Sequence, residues 1–211
     1  MAEDVTKRGV ADLGAEVWQE HQKTVERFWH ALLLYFSHMD VRGLKIYQDG
    51  MVAEGEIGIK IVEEGVRLGS KNYELINSFL KQGAILIKTE NFNLVKEERD
   101  RLFTMTQAKS TLRKIAACIK YNLIKDKLLK KRDQFIAQQI NETLKIQEKG
   151  ILFIGAFHNV KRWLSKDILV KEIKDIRKIR EYYRLFPFYN KHRKKVEELS
   201  KYLIAQVEGE I

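Results

Sequence analysis

The chain is poor in three things. It has one cysteine, Cys118, and one proline, Pro187, and it contains no long uninterrupted apolar run. A single cysteine excludes an intrachain disulfide and points to a reducing compartment. Its neighbours Ile115, Ala116, Ala117 and Ile119 predict a thiol buried on a helix. One proline in 211 residues leaves long helices uninterrupted. The opening MAEDVTKRGVADLGAEVW has no apolar signal segment, and nothing approaches the roughly 20 apolar residues that span a bilayer. A cytoplasmic protein with no membrane partner is expected.

What is present is a globular composition of 45% hydrophobic and 10% aromatic residues, with a net charge of +10. The length suits one domain over residues 1–211, large enough to bury a core without covalent staples. Lysine and arginine concentrate between Lys109 and Arg132 and between Lys161 and Lys201, interleaved with acidic residues at helical spacing. Such stretches read as solvated helix faces, or as a surface for nucleic acid or another anionic partner.

Periodicity assigns the elements. Apolar positions at three- and four-residue steps predict a helix over Leu13–His38, then a short strand LKIYQ over Leu44–Gln48, closed by Asp49-Gly50. A helix over Glu54–Leu68 turns Ile57, Ile61, Val62 and Val66 inward. Ser70 then caps a helix that Gly83 ends, and AILIK over Ala84–Lys88 is the second strand. Two charged helices follow, Asn93–Tyr121 and Leu123–Glu148, a long hairpin over residues 93–148 that is also a candidate surface for self-assembly. Gly150 stops the second of them. ILFI over Ile151–Ile154 is the most apolar segment and predicts a strand buried on both faces, as at the centre of a parallel sheet. Asp167–Ile173 reads as a fourth strand, and helices over Lys174–Arg184 and Lys191–Val207 close the chain. Strands alternating with helices define an α/β fold with a small, mostly parallel sheet of three or four strands among many helices.

In open sheets of this kind ligands bind beyond the carboxyl ends of the strands. Those ends carry Gln48-Asp49-Gly50, Thr89-Glu90-Asn91 and Gly155-Ala156-Phe157-His158-Asn159. Parallel strands would set Asp49, Glu90 and His158 on one rim, a group suited to a divalent metal ion or to activating water for attack on a small-molecule or peptide ligand. Gln48, Gly155 and Asn159 would line it. Asp49-Gly50 is equally ordinary turn chemistry, and Glu90 equally a solvated loop residue. His158 stands apart from His21, His30, His38 and His192, which fall on presumed helix surfaces or ends. Arg132, one turn before Ile136 in RDQFIAQQI, is placed to reach the rim as an anion clamp. Ser70 and Asn72, at a helix start, offer an anion site in free backbone N–H groups.

The stretch RDQFIAQQINETLKIQEKGILFIGAFHNV, Arg132–Val160, resembles the C-terminal part of the TraB/ChaN/erythromycin-esterase-like superfamily, in which an arginine-bearing helix leads into a buried strand ending in Gly-x-x-His. Gly155 to His158 match that motif and Arg132 the helix arginine. YQDGMVAEGE, GSKNYELI and GAILIKTEN look like an uncharacterised prokaryotic branch of the same group. The resemblance implies an α/β fold with polar residues at the sheet rim, and metal-dependent protease, esterase or haem-binding activity. The N-terminal Gly-x-x-His of full-length members has no counterpart here, which leaves Asp49 or Glu90 as the acidic partner of His158.

Overall fold

The computed structural model describes residues 2–107 and 110–207. In chain order the elements are α1 (Ala2–Leu13), α2 (Ala15–Phe36), β1 (Lys45–Gln48), α3 (Gly55–Arg67), α4 (Lys71–Lys81), β2 (Ile85–Ile87), α5 (Phe92–Gln107), α6 (Thr111–Thr143), β3 (Gly150–Phe153), α7 (Ile176–Leu185) and α8 (Tyr189–Ile204), with short 3-10 turns at Val160–Trp163 and Phe186–Phe188. The chain divides into two compact units: Val41–Val170, and a helical unit made of Met1–Asp40 with Lys171–Ile211. Among the described residues no helix is long and apolar enough to cross a membrane.

The Val41–Val170 unit is α/β. Its sheet has the order β2-β1-β3, and both pairings are parallel, with Ile46 beside Leu86 and Ile151. The strand in the middle is therefore β1, and β3 lies at an edge, with Gly150 exposed and Ile151 and Leu152 half-buried. Apolar content misplaced the centre because β1 carries polar side chains whose ends are all satisfied. Lys45 Nζ donates to the Thr143 carbonyl and pairs with Glu148, the Tyr47 hydroxyl meets Thr143 Oγ1 at 2.8 Å, and Gln48 Nε2 donates to the Asp49 carbonyl. Burial of hydrogen-bonded groups of this kind costs little. Gly150 does not end a helix; it opens β3, where a Cβ would stand 2.9 Å from the Tyr47 ring and 3.2 Å from the Lys45 carbonyl.

One face of the sheet packs on α6 through Tyr47, Ile87, Ile136, Ala137, Ile140 and Val160. On α3 the inward positions are Gly58, Val62 and Gly65, at steps of four and three, while Ile57 is 66% exposed. The glycines form the contact face: a Cβ at Gly58 would lie 2.9 Å from the Ala53 carbonyl oxygen, and at Gly65 within 2.3 Å of the Tyr73 ring. Of the four residues expected inward, Val62 is buried and Ile61 and Val66 are half-buried, so only Ile57 was misplaced.

Helices α5 and α6 do not divide at Asn122. Helix α6 runs unbroken through Asn122, whose amide lies against Cys118 Sγ four residues back, and the connection from α5 falls after Gln107, partly at residues 108–109, which lie outside the described set. A lone asparagine in a run of Lys, Leu and Ile costs too little helix propensity to end it. Cys118 is half-buried rather than buried, with Ile115 and Ile119 beside it more than half exposed. Residues 167–173 form no strand. Ile168 packs into the sheet core while Leu169 is 96% exposed, so the apolar run serves as a single anchor.

In the helical unit, Tyr182, Phe186, Val196, Leu199 and Leu203 form the core, with Val17, Trp18 and Phe28 against it. His21 belongs here and not to a surface: its ring stacks on Phe186 at 4.2 Å and its Nδ1 meets the Tyr182 hydroxyl at 2.8 Å.

Candidate functional site

Parallel pairing brings the carboxyl ends of all three strands to one rim. The Asp49 N–H donates to the Phe153 carbonyl, and the N–H groups of Thr89 and Glu90 both donate to the Met51 carbonyl at 2.9 Å. The loop after β1 is thereby fixed to both neighbouring strands. Thr89 Oγ1 accepts from the Gln48 N–H at 3.1 Å, and Gln48 Oε1 accepts from Asn72 Nδ2 at 2.9 Å. The first turn of α4 is tied to β1 in this way.

Arg132 occupies the middle of the rim. Its Nε donates to Glu90 Oε1 at 2.9 Å, its Nη2 to Asp49 Oδ1 at 2.5 Å and again to Glu90 Oε1, and its Nη1 to Glu98 Oε2. One guanidinium thus gathers carboxylates from the end of β1, the end of β2 and helix α5. The neighbouring residue on α6, Asp133, turns to His158. Asp133 Oδ1 lies 2.6 Å from His158 Nδ1, and Oδ2 accepts the Asn159 N–H at 2.9 Å. On the other side of the imidazole, Nε2 faces Asp49 Oδ2 at 3.4 Å, an oxygen that also accepts the Gly155 N–H at 3.2 Å. A Cβ at Gly155 would stand 3.2 Å from that carboxylate, so the glycine lets the backbone approach it.

The four residues expected to share a rim, Asp49, Glu90, Arg132 and His158, do meet, and Gln48, Asn72, Gly155 and Asn159 are bonded to or beside them. Ser70 precedes α4 but its side chain makes no capping bond. Asp133 and Glu98 complete the group. Asp133 had a signal, since it stands four residues before the buried Ala137 and next to Arg132. Glu98 had none; it lies in a charged helix whose sequence marks no inward face.

The electrostatics push these groups apart. For Asp49, burial would raise the pKa, but the hydrogen bond and charge of His158, the charge of Arg132 and the Gly155 N–H outweigh it and hold the carboxyl at about 2. For Glu90, burial dominates and the nearby Asp49 charge adds to it, so its pKa is raised despite Arg132. For His158, burial would lower the pKa, yet the hydrogen bonds that its ring donates to Asp133 and Asp49 and the Asp49 charge lift it to about 9, which leaves the ring an imidazolium at neutral pH. For Arg132, burial is likewise overcome by its carboxylate partners, and it stays charged.

One buried atom stands out: Glu90 is fully buried and its Oε2 has no hydrogen-bond partner, a condition shared by Asn72 Oδ1. Among the described residues no group of three His, Cys, Asp or Glu side chains is arranged to hold a metal ion. A metal ligand must be unprotonated with a lone pair to give. A divalent ion at Asp49, Glu90 and His158 would require the imidazolium to lose its proton and the guanidinium to withdraw, so the residues as arranged do not fit one. Comparison with protein-family models, with curated proteins and with solved structures finds no match to this chain.

Proposed function

We propose that the Val41–Val170 unit is a hydrolase-like acid–base domain whose centre is the Arg132 cluster. The supporting observation is the convergence itself. Six ionisable side chains from five chain segments meet at the carboxyl-end rim of a parallel sheet, and within them the pKa of Asp49 is driven down while those of Glu90 and His158 are driven up. Apolar residues of similar volume stabilise a fold at least as well as a buried ion cluster, so stability alone is a poor reason for one. Separated pKa values in adjoining groups are what acid–base pairs need. The resemblance around Gly155–His158 implies the same reaction class.

In this reading Glu90 Oε2, the acceptor left unpaired, takes a proton from the attacking water. The water oxygen bonds to the carbonyl carbon as the bond to the leaving group breaks. His158, held by Asp133 and only loosely engaged by Asp49, gives its Nε2 proton to the leaving atom. Arg132 offsets the negative charge that develops. Asp133 is a positioning residue, fixing the tautomer and plane of the ring.

The test is turnover of a panel of chromogenic esters and amides by the purified chain. Replacement of His158 by Gln or Glu90 by Gln should lower kcat by a factor of about 100 or more, the usual worth of a positioned acid or base. The wild-type rate should rise as Glu90 ionises and fall as His158 loses its proton near pH 9. Equal rates in wild type and both variants would remove the proposal.

A further inference from the structure

The arrangement of charge at this rim specifies the kind of molecule it accepts. Two cations, Arg132 and His158, are gathered among four carboxylates, of which Glu90 and Asp133 are buried with them and Asp49 and Glu98 are the more exposed. The side chains of Arg132 and His158 are only 9% and 6% exposed, whereas those of Asp49 and Glu98 reach solvent at 24% and 23%. Those two carboxylates hold opposite nitrogens of the guanidinium, Nη2 and Nη1, and so flank it on the solvent side. An incoming group meets negative charge first. An anion would have to pass the carboxylates to reach Arg132, so the anion clamp expected from sequence is closed.

The unmet hydrogen bonds lead to the same chemistry. The buried side-chain atoms left without partners here, Glu90 Oε2 and Asn72 Oδ1, are both acceptors. Glu90 lies within the cluster, since its other oxygen shares Arg132 Nη2 with Asp49. A carboxylate accepts and cannot donate, and an amide oxygen only accepts. The rim has acceptors in want of donors, and its four carboxylates outnumber its two cations, so a donor that carries positive charge suits it.

We infer that the site takes a substrate bearing an organic cation, a primary ammonium or guanidinium group, that docks between Asp49 and Glu98 with its N–H groups directed to the rim acceptors. The inference rests on the acid–base reading of the same residues and narrows its substrates to esters or amides with a positively charged neighbour. Phosphoesters are excluded by the charge of the rim.

Binding of small probes separates this from turnover. The 15N-labelled full chain is titrated with butylammonium, butylguanidinium, butyrate, inorganic phosphate or manganous ion, while the backbone N–H signals of Gly155 and Asn159, bonded to Asp49 and Asp133, are followed. The two organic cations should shift those signals saturably at about millimolar concentrations, as expected of ligands this small. Replacing Glu98 by Gln, a partly exposed position, should weaken that binding several-fold, and replacing Asp49 by Asn by roughly tenfold or more, the worth of a charged hydrogen bond. Shifts from butyrate or phosphate in place of the cations would overturn the inference. So would broadening by manganous ion without an amine effect, which would mark a metal site, and so would silence from every probe. Saturable amine binding by a chain that hydrolyses nothing would uphold the cation site while the hydrolase reading falls.

Discussion

His158 makes the stability of the α/β unit depend on pH above neutrality. Its pKa is about 9 in the folded chain against an ordinary 6.5. A folded-state pKa raised in this way gives a contribution that is complete below pH 6.5 and is lost as pH climbs through 9. At about 1.4 kcal/mol for each pH unit of difference, the contribution is on the order of 3 kcal/mol. Its cluster partners act elsewhere on the scale. The raised pKa of Glu90 makes its contribution largest in acid and lets it fade as pH rises from the ordinary 4.5. Asp49 has the opposite sign: its contribution is present above 3.8 and lost as pH falls through about 2. The assay is urea unfolding between about pH 6 and pH 9.5 in a background with Trp18 and Trp29 changed to Phe, so that Trp163, packed on the sheet core, reports alone. The wild type should lose about 3 kcal/mol more across this range than the His158→Gln protein, whose side chain cannot take up a proton. Parallel curves for the two proteins would show that the imidazole is not held as a cation, and the proton-donor role would fall with it.

Other substitutions probe the remaining parts of the structure. Arg132→Met leaves Glu90 and Asp49 without their cation and should cost about 3–5 kcal/mol, with part of the loss recovered when Glu90→Gln is added; a simple sum of the two effects in a double-mutant cycle would refute the coupling. Gly58→Ala forces a methyl against the Ala53 carbonyl and Leu86, and thermal unfolding should show a loss of about 1–3 kcal/mol. Ile136→Ala, at a fully buried position, should cost about 2–5 kcal/mol by denaturant unfolding. Leu169→Ser should stay within about 0.5 kcal/mol of wild type, because that side chain touches little.

The parts of the fold legible in the sequence are those where side-chain type and backbone demand agree. The strand segments around Lys45–Gln48, Ile85–Ile87 and Gly150–Phe153 are short apolar or β-branched runs closed by turn residues, and all three form in the structure. Because they are parallel, the position of each residue after a strand end was enough to bring Asp49, Glu90 and His158 together. What escaped were features that depend on partners distant in sequence. The central place of the strand with Lys45 and Tyr47 left no local trace, because Thr143 and Glu148, which satisfy them, lie about a hundred residues away. Gly58 and Gly65 carry no apolar signal, yet they are the contact face of α3, since absence of a side chain is what permits the approach. Glu98 enters the site only because α5 packs on α6, a tertiary fact with no local trace.

The division of the chain carries a consequence for biosynthesis. The α/β unit is one uninterrupted stretch, Val41–Val170, whereas the helical unit is split between the first forty residues and those from Lys171 onward. Translation proceeds from the N-terminus at about 5–20 residues per second. Every residue of the rim is therefore synthesised before α7 and α8, which α2 needs to bury its apolar side. The leading helices must wait for the core of Tyr182, Phe186 and Leu199 on which Trp18 and Phe28 pack, whereas the inserted unit has all its residues in the chain before that core is complete.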